Sequence, residues 1–215
     1  MLKKLFVIFK VVVILNLVIC LIKREWTATF ICLFNFILFF IADIVQKKLK
    51  YKDGFQLLIY IFLIGSLLGG EVYYLYEKLW YFDIITHTLS SVVASGLFFY
   101  LFRLFGNVKR MIMVLCIFSF AMMIAALWEI TEFSIDRLLN KDMQKDTVIT
   151  EINSTFLSDD GKSIVNEKIN SMTIGDYTIN GYLDIGLYDT IEDMICAVVG
   201  SLFYVFWGMK KKLFS

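Results

Sequence analysis

The chain has 215 residues, 59% hydrophobic and 17% aromatic, with 21 Lys and Arg against 20 Asp and Glu and a mean hydropathy of +0.73. So few polar residues cannot cover a soluble domain. A net charge of +1, with no basic cluster interleaved with aromatics, gives no reason to expect a nucleic-acid partner. The apolar runs are continuous and long enough to cross a bilayer as helices, unlike the short alternating segments of a membrane β-barrel. The expected class is therefore all-α: a polytopic membrane protein of about six transmembrane helices, one integral domain over residues 1–215.

The first span is read as Leu5–Ile22. Lys3 and Lys4 before it look like the start of a signal peptide, but Lys10 interrupts the run and no small-residue cleavage site follows. Trp26–Val45 is the second, with Trp26 as an interfacial anchor. Lys47, Lys48, Lys50 and Lys52 form a basic loop, and Asp53-Gly54 marks a turn. The third span is Phe55–Gly70, followed by an aromatic stretch, Tyr73, Tyr74, Tyr76, Trp80 and Tyr81, suited to an interface. The fourth runs from about Asp83 to Phe105, the fifth from about Lys109 to Ile135, and the sixth from about Tyr188 to Gly208. A Lys210–Lys212 tail closes the chain. Proline is absent, so any broken helix must rely on glycine. Cys20, Cys32, Cys116 and Cys196 lie inside apolar runs without CxxC spacing and read as buried thiols.

Between spans five and six lies a polar segment, 136–187, carrying the turn signals Asp159-Asp160-Gly161 and Asn180-Gly181. A small hairpin cap and a loop both fit it. Basic residues set the orientation. With six spans and the N-terminus inside, the inner segments carry Lys3, Lys4, Lys10, the four lysines of the second loop, Arg103, Lys109, Arg110 and the C-terminal lysines. The short outer loops carry only Lys23, Arg24 and Lys78. Both termini are expected in the cytoplasm, the polar segment outside, and the chain in the plasma membrane.

Three helical pairs of ionisable residues then fall at one membrane face. Asp83 and His87, four apart and so on one helical face, open span four. Glu129 and Glu132 lie near the end of span five, and Asp189 and Asp193 open span six. Ionisable groups inside a span are costly and point by default to function. Taken singly, Asp83 or Asp189 reads equally well as a solvated headgroup-region acid, and His87, the one histidine, as a hydrogen-bonded packing residue. Three converging pairs favour a shared site. Small residues below them (Ser90, Ser91, Ala94 and Ser95; Ala121 and Ala125; Ala197, Gly200 and Ser201) let helices approach closely in lipid. Carboxylates that close need shared protons or a cation. One imidazole with several carboxylates suits Mg, Mn or Zn. Asp83, Glu129, Asp189 and Asp193 are the expected ligands, with His87 and Glu132 as the catalytic acid–base groups.

At these residues the chain resembles the YjdF-like family of uncharacterised bacterial inner-membrane proteins. The matching elements are the glycine-ended span before YFDIITH, then WEITEF, Met143-Gln144, and YDTIEDM with Gly200. They cover the chain from about Leu67 to its end, with the segment between Gln144 and Gly186 as an insertion. The order D-x-x-x-H, E, D-x-x-x-D with a later glycine resembles, more distantly, the VanZ-like proteins linked to glycopeptide resistance, whose pattern has an asparagine before the glycine that is absent here. The resemblance implies a multi-pass membrane protein and no particular reaction. The lipid-phosphatase PSGH block is missing. The residues point to metal-assisted hydrolysis or transfer on a lipid or envelope precursor. A small proton-coupled exchanger and a non-catalytic resistance or interaction factor are the alternatives.

Overall fold

The computed structural model describes residues 2–106, 108–211 and 213. The helices are α1 (Leu2–Lys23), α2 (Trp26–Leu49), α3 (Asp53–Leu63, continued by a π-helix Ile64–Val72), the single turn α4 (Leu75–Lys78), α5 (Phe82–Phe102, tightened to a 3-10 turn at Arg103–Phe105), α6 (Arg110–Leu139) and α7 (Leu187–Lys210). Among the described residues, six are long and apolar enough to cross a membrane: α1, α2, α3 with its π extension, α5 with its 3-10 turn, α6 and α7. The six spans expected from sequence match these within a few residues. Lys212, part of the expected basic tail, lies outside the described residues.

The chain divides into two compact units, Met1–Ala126 with Asp193–Ser215, and Leu127–Glu192. In the first unit, Tyr60 of α3 is fully buried and stacks on Phe39 of α2 with ring centroids 4.1 Å apart, flanked by Phe6 and Phe9 of α1. Beside this aromatic core lies an ion pair that ties three helices together. Asp43 of α2 accepts hydrogen bonds from Lys10 of α1 (2.5 Å), from Gln56 Nε2 (3.0 Å) and from the Tyr60 hydroxyl (2.8 Å). The Lys10 ammonium also sits 5.0 Å from the centre of the Phe40 ring, a cation–π contact. Lys10, counted on sequence among the inner basic residues, is thus two turns inside α1 and neutralised there.

A second polar contact lies where α3 changes its winding. The Ile64 N–H is shared between the carbonyls of Ile61 and Tyr60 as the helix widens. At that junction the fully buried Asn35 of α2 donates to the Leu63 carbonyl at 2.9 Å. In lipid, a helix can depart from the α ladder only where a neighbour satisfies the backbone. The π segment holds Gly65, Gly69 and Gly70, in keeping with the reliance on glycine expected of a proline-free chain. Asn35→Leu removes that buried hydrogen bond, and we expect a stability loss of about 0.5–1.5 kcal/mol, read by unfolding in detergent. A variant as stable as the parent would show the contact to be dispensable.

The second unit corrects the all-α expectation. The polar segment folds into three two-stranded antiparallel ladders: β1 (Thr147–Ile149) with β6 (Tyr182–Asp184), β2 (Glu151–Ser154) with β3 (Val165–Lys168), and β4 (Met172–Ile174) with β5 (Tyr177–Ile179). The β4–β5 hairpin turns on Gly175-Asp176, where Gly175 has φ +58°, the left-handed conformation that two-residue hairpins demand. Short runs such as Thr-Val-Ile and Tyr-Thr-Ile have strand propensity, and the pairing of β1 with β6 across 32 intervening residues has no local signature.

Candidate functional site

The site in the first unit is built by the opening turns of α5 and α7. Asp83 and His87 stand one turn apart on α5, and the ring and carboxylate meet as the spacing requires: His87 Nε2 lies 3.3 Å from Asp83 Oδ1. The same nitrogen lies 3.3 Å from Asp193 Oδ2 of α7. All three side chains are sheltered, at 15% exposure for His87 and Asp83 and 5% for Asp193. The hydroxyls around them turn back onto their own helix, Thr86 to the Phe82 and Asp83 carbonyls and Ser90 to the His87 carbonyl, the usual way serine and threonine are accommodated within a helix.

One imidazole nitrogen carries at most one proton and cannot make two linear hydrogen bonds, and 3.3 Å is beyond the usual N–H···O range. Ligand atoms gathered about one small cation at about 2.1 Å stand about 3.0 to 3.4 Å from each other, depending on geometry. One ligand atom from each of Asp83, His87 and Asp193 lies within 4.8 Å of the others. A hydrogen-bonded imidazolium between two carboxylates and a shared divalent ion both satisfy the charge, and these separations accommodate either.

Glu129, Glu132 and Asp189 belong to the second unit. Glu129 and Glu132 are buried on α6, at 6% and 7% exposure, and Glu132 accepts a hydrogen bond from the Trp128 indole at 2.7 Å. Asp189, in the first turn of α7, accepts the backbone N–H of Lys145 at 3.0 Å. Next to it, Gln144 donates from its side chain to the Thr190 hydroxyl, and Asp136 of α6 accepts the N–H groups of both Met143 and Gln144. Met143-Gln144, quoted above only as part of a family pattern, is therefore the strap that joins the end of α6 to the start of α7. Asp189 has a role in that strap, which its residue type and position did not reveal. Near the strap, partial loss of hydration pushes the Asp146 carboxyl up from its ordinary value, reinforced by the neighbouring acids Asp142, Asp184 and Asp136.

Of the six residues singled out from sequence, the first unit brings together Asp83, His87 and Asp193. Asp43, Gln56 and Tyr60 form a polar cluster that no motif in the sequence marks. The signal available for them was a single acid inside span two, matched to the single lysine inside span one.

Six apolar helices with an ionisable cluster at the mouth of two of them define a multi-pass membrane protein. The family model described as "Predicted membrane protein (DUF2238)" matches residues 2–212, and the chain belongs to that family. This agrees with an uncharacterised YjdF-like membrane family and carries no reaction with it; it does not bear on the VanZ-like resemblance. Comparison with curated proteins and with solved structures returned no match.

Proposed function

We propose that the chain is a membrane enzyme in which Asp83, His87 and Asp193 hold one divalent cation, and that it hydrolyses or transfers a group on a lipid or envelope precursor. The single observation that supports this is His87 Nε2 placed 3.3 Å from a carboxylate oxygen on each side. The set of one imidazole and two carboxylates suits Mg, Mn or Zn. Such an ion would supply an activated water and polarise the bond under attack. His87, first expected as an acid–base group, becomes a ligand in this reading. By their helix positions, Glu129 and Asp189 would be further oxygen donors and Glu132 the group that takes a proton from water. The charge bias of the loops, which survives the removal of Lys10 from the count, puts both termini in the cytoplasm and the site at the outer face of the plasma membrane.

The test is the metal content of protein purified in detergent without chelator, wild type against His87→Ala. A near-stoichiometric divalent ion, lost in the variant with thermal stability kept, is the expected result. No ion in either sample would overturn the reading.

One observation favours a second reading, a proton-coupled exchanger. The Lys10–Asp43–Tyr60 cluster lies near the end of the bundle where α3 begins, opposite the end where α5 begins, so one unit carries ionisable clusters toward both faces. Proton relays in membrane proteins are built from such groups. Proteoliposomes with a pH-sensitive dye separate the two: proton flux abolished by Asp43→Asn would support exchange, and its absence would leave the enzyme reading.

A further inference from the structure

We infer that Gly200 is a positioning residue for the Asp83–His87–Asp193 site: it sets the approach of α7 to α5 that brings Asp193 within reach of the His87 ring. The inference rests on the metal-site reading for its ligand but on geometry alone for its mechanism.

A Cβ added at Gly200 would fall 2.2 Å from the Thr88 carbonyl oxygen and 3.1 Å from Ser91 Cβ. The first of these is backbone, which cannot swing aside as a side chain can. The two helices therefore touch main chain to main chain, an approach open only to glycine. Thr88 follows His87 directly, and Ser91 is one turn below it. Gly200 is seven residues after Asp193, about two turns or roughly 10 Å along the same face of α7. Side chains on a helix lean toward its N-terminus, so the His87 ring rises from the level of this contact toward the level of Asp193. The crossing lies just beneath the site and acts as its fulcrum. Relieving a contact of 2.2 Å requires α7 to move away from Thr88 by about an ångström or more, and the 3.3 Å gap between His87 and Asp193 widens with it. The gap between His87 and Asp83 does not, because both stand on α5.

Gly96 provides the control. It too is buried in the first unit, and an added Cβ would fall 2.3 Å from the Phe55 ring and 3.2 Å from the Tyr204 ring. Those are side chains, and Gly96 lies nine residues beyond His87. Gly96→Ala strains the packing far from the site.

The experiment compares wild type, Gly200→Ala and Gly96→Ala in detergent by two readouts. The first is Co²⁺ affinity and the visible spectrum of the Co²⁺-loaded protein. We expect Gly200→Ala to weaken Co²⁺ binding at least tenfold and to change the spectrum, and Gly96→Ala to leave both as in wild type at any comparable loss of thermal stability. The second readout needs no metal. With ¹⁵N-labelled histidine the chain gives one pair of ring signals, because His87 is its one histidine. At a single pH, Gly200→Ala should shift that pair toward its position in Asp193→Asn, while Gly96→Ala should not. Failure of the wild type to bind any Co²⁺ would overturn the metal reading and leave the ring signals to judge Gly200. Ring signals in Gly200→Ala identical to wild type, or equal displacement in both glycine variants, would overturn the positioning role.

Discussion

With a divalent ion held as proposed, Asp193→Asn is expected to lower its affinity by on the order of a hundredfold or more, since even residues that merely orient a metal ligand cost about 10–100-fold when removed. The substitution keeps the shape of the side chain and removes one of the two charges that face His87 Nε2. Asp193 is itself buried, so the lost charge is not made up by solvent. Glu192, one residue earlier and on the exposed side of α7, supplies the comparison: Glu192→Gln removes the same charge from the same helical turn and should change affinity less than twofold. Titration with a competing chromophoric chelator measures both. Equal losses in the two variants would mean that bulk charge at the helix mouth, not ligation, governs binding.

The second large effect concerns stability. Asp43→Leu strands the Lys10 ammonium inside α1 with no counter-charge, and removing one partner of a buried ion pair costs about 3–5 kcal/mol. Lys10 and Asp43 side chains keep 24% and 30% exposure, which places the expectation at the lower end, about 3 kcal/mol. The Gln56 amide and the Tyr60 hydroxyl lose their acceptor in the same step, so the loss reaches the aromatic core around Tyr60. The double variant Lys10→Met, Asp43→Leu removes both charges and should recover most of the stability, because apolar replacements of buried pairs are often neutral or better. Unfolding in detergent reads all three proteins. A double variant no more stable than Asp43→Leu would show that the three-helix contact depends on the charges themselves.

Much of the architecture was legible because the bilayer simplifies the problem. A span must be a continuous apolar run of about twenty residues, and the runs starting near Leu5, Trp26, Phe55, Asp83, Lys109 and Tyr188 are bounded by charges or turn residues. The helix pairing Asp83–His87 follows from spacing alone, and its partner Asp193 followed from requiring all the acids to lie at one face. What spacing could not supply was the register between helices. Nothing local in Phe40-Ile41-Ala42-Asp43 shows that the carboxylate meets Lys10, thirty-three residues away. Likewise, nothing local shows that Asn35 reaches the Leu63 carbonyl from another helix, just where the winding of α3 changes. The polar segment resisted for a different reason. Its strands are three or four residues long, too short for alternation to be read. The contact that brackets them, Gln144 with Thr190, crosses 46 residues of sequence. Asp189 is instructive: an acid in the first turn of a helix is favoured by the helix dipole, and here it also holds Lys145.

The most direct test of the central claim uses the single histidine. X-ray absorption at the metal edge of protein loaded with one equivalent of Zn²⁺ or Mn²⁺ detects imidazole by its distinctive outer-shell scattering. Any imidazole found on the metal must be His87, because the chain has no other histidine. One imidazole among oxygen neighbours at about 2.0–2.2 Å, absent in His87→Gln, is the result expected of a cation held between Asp83, His87 and Asp193. A loaded metal surrounded by oxygen alone, unchanged in His87→Gln, would contradict it.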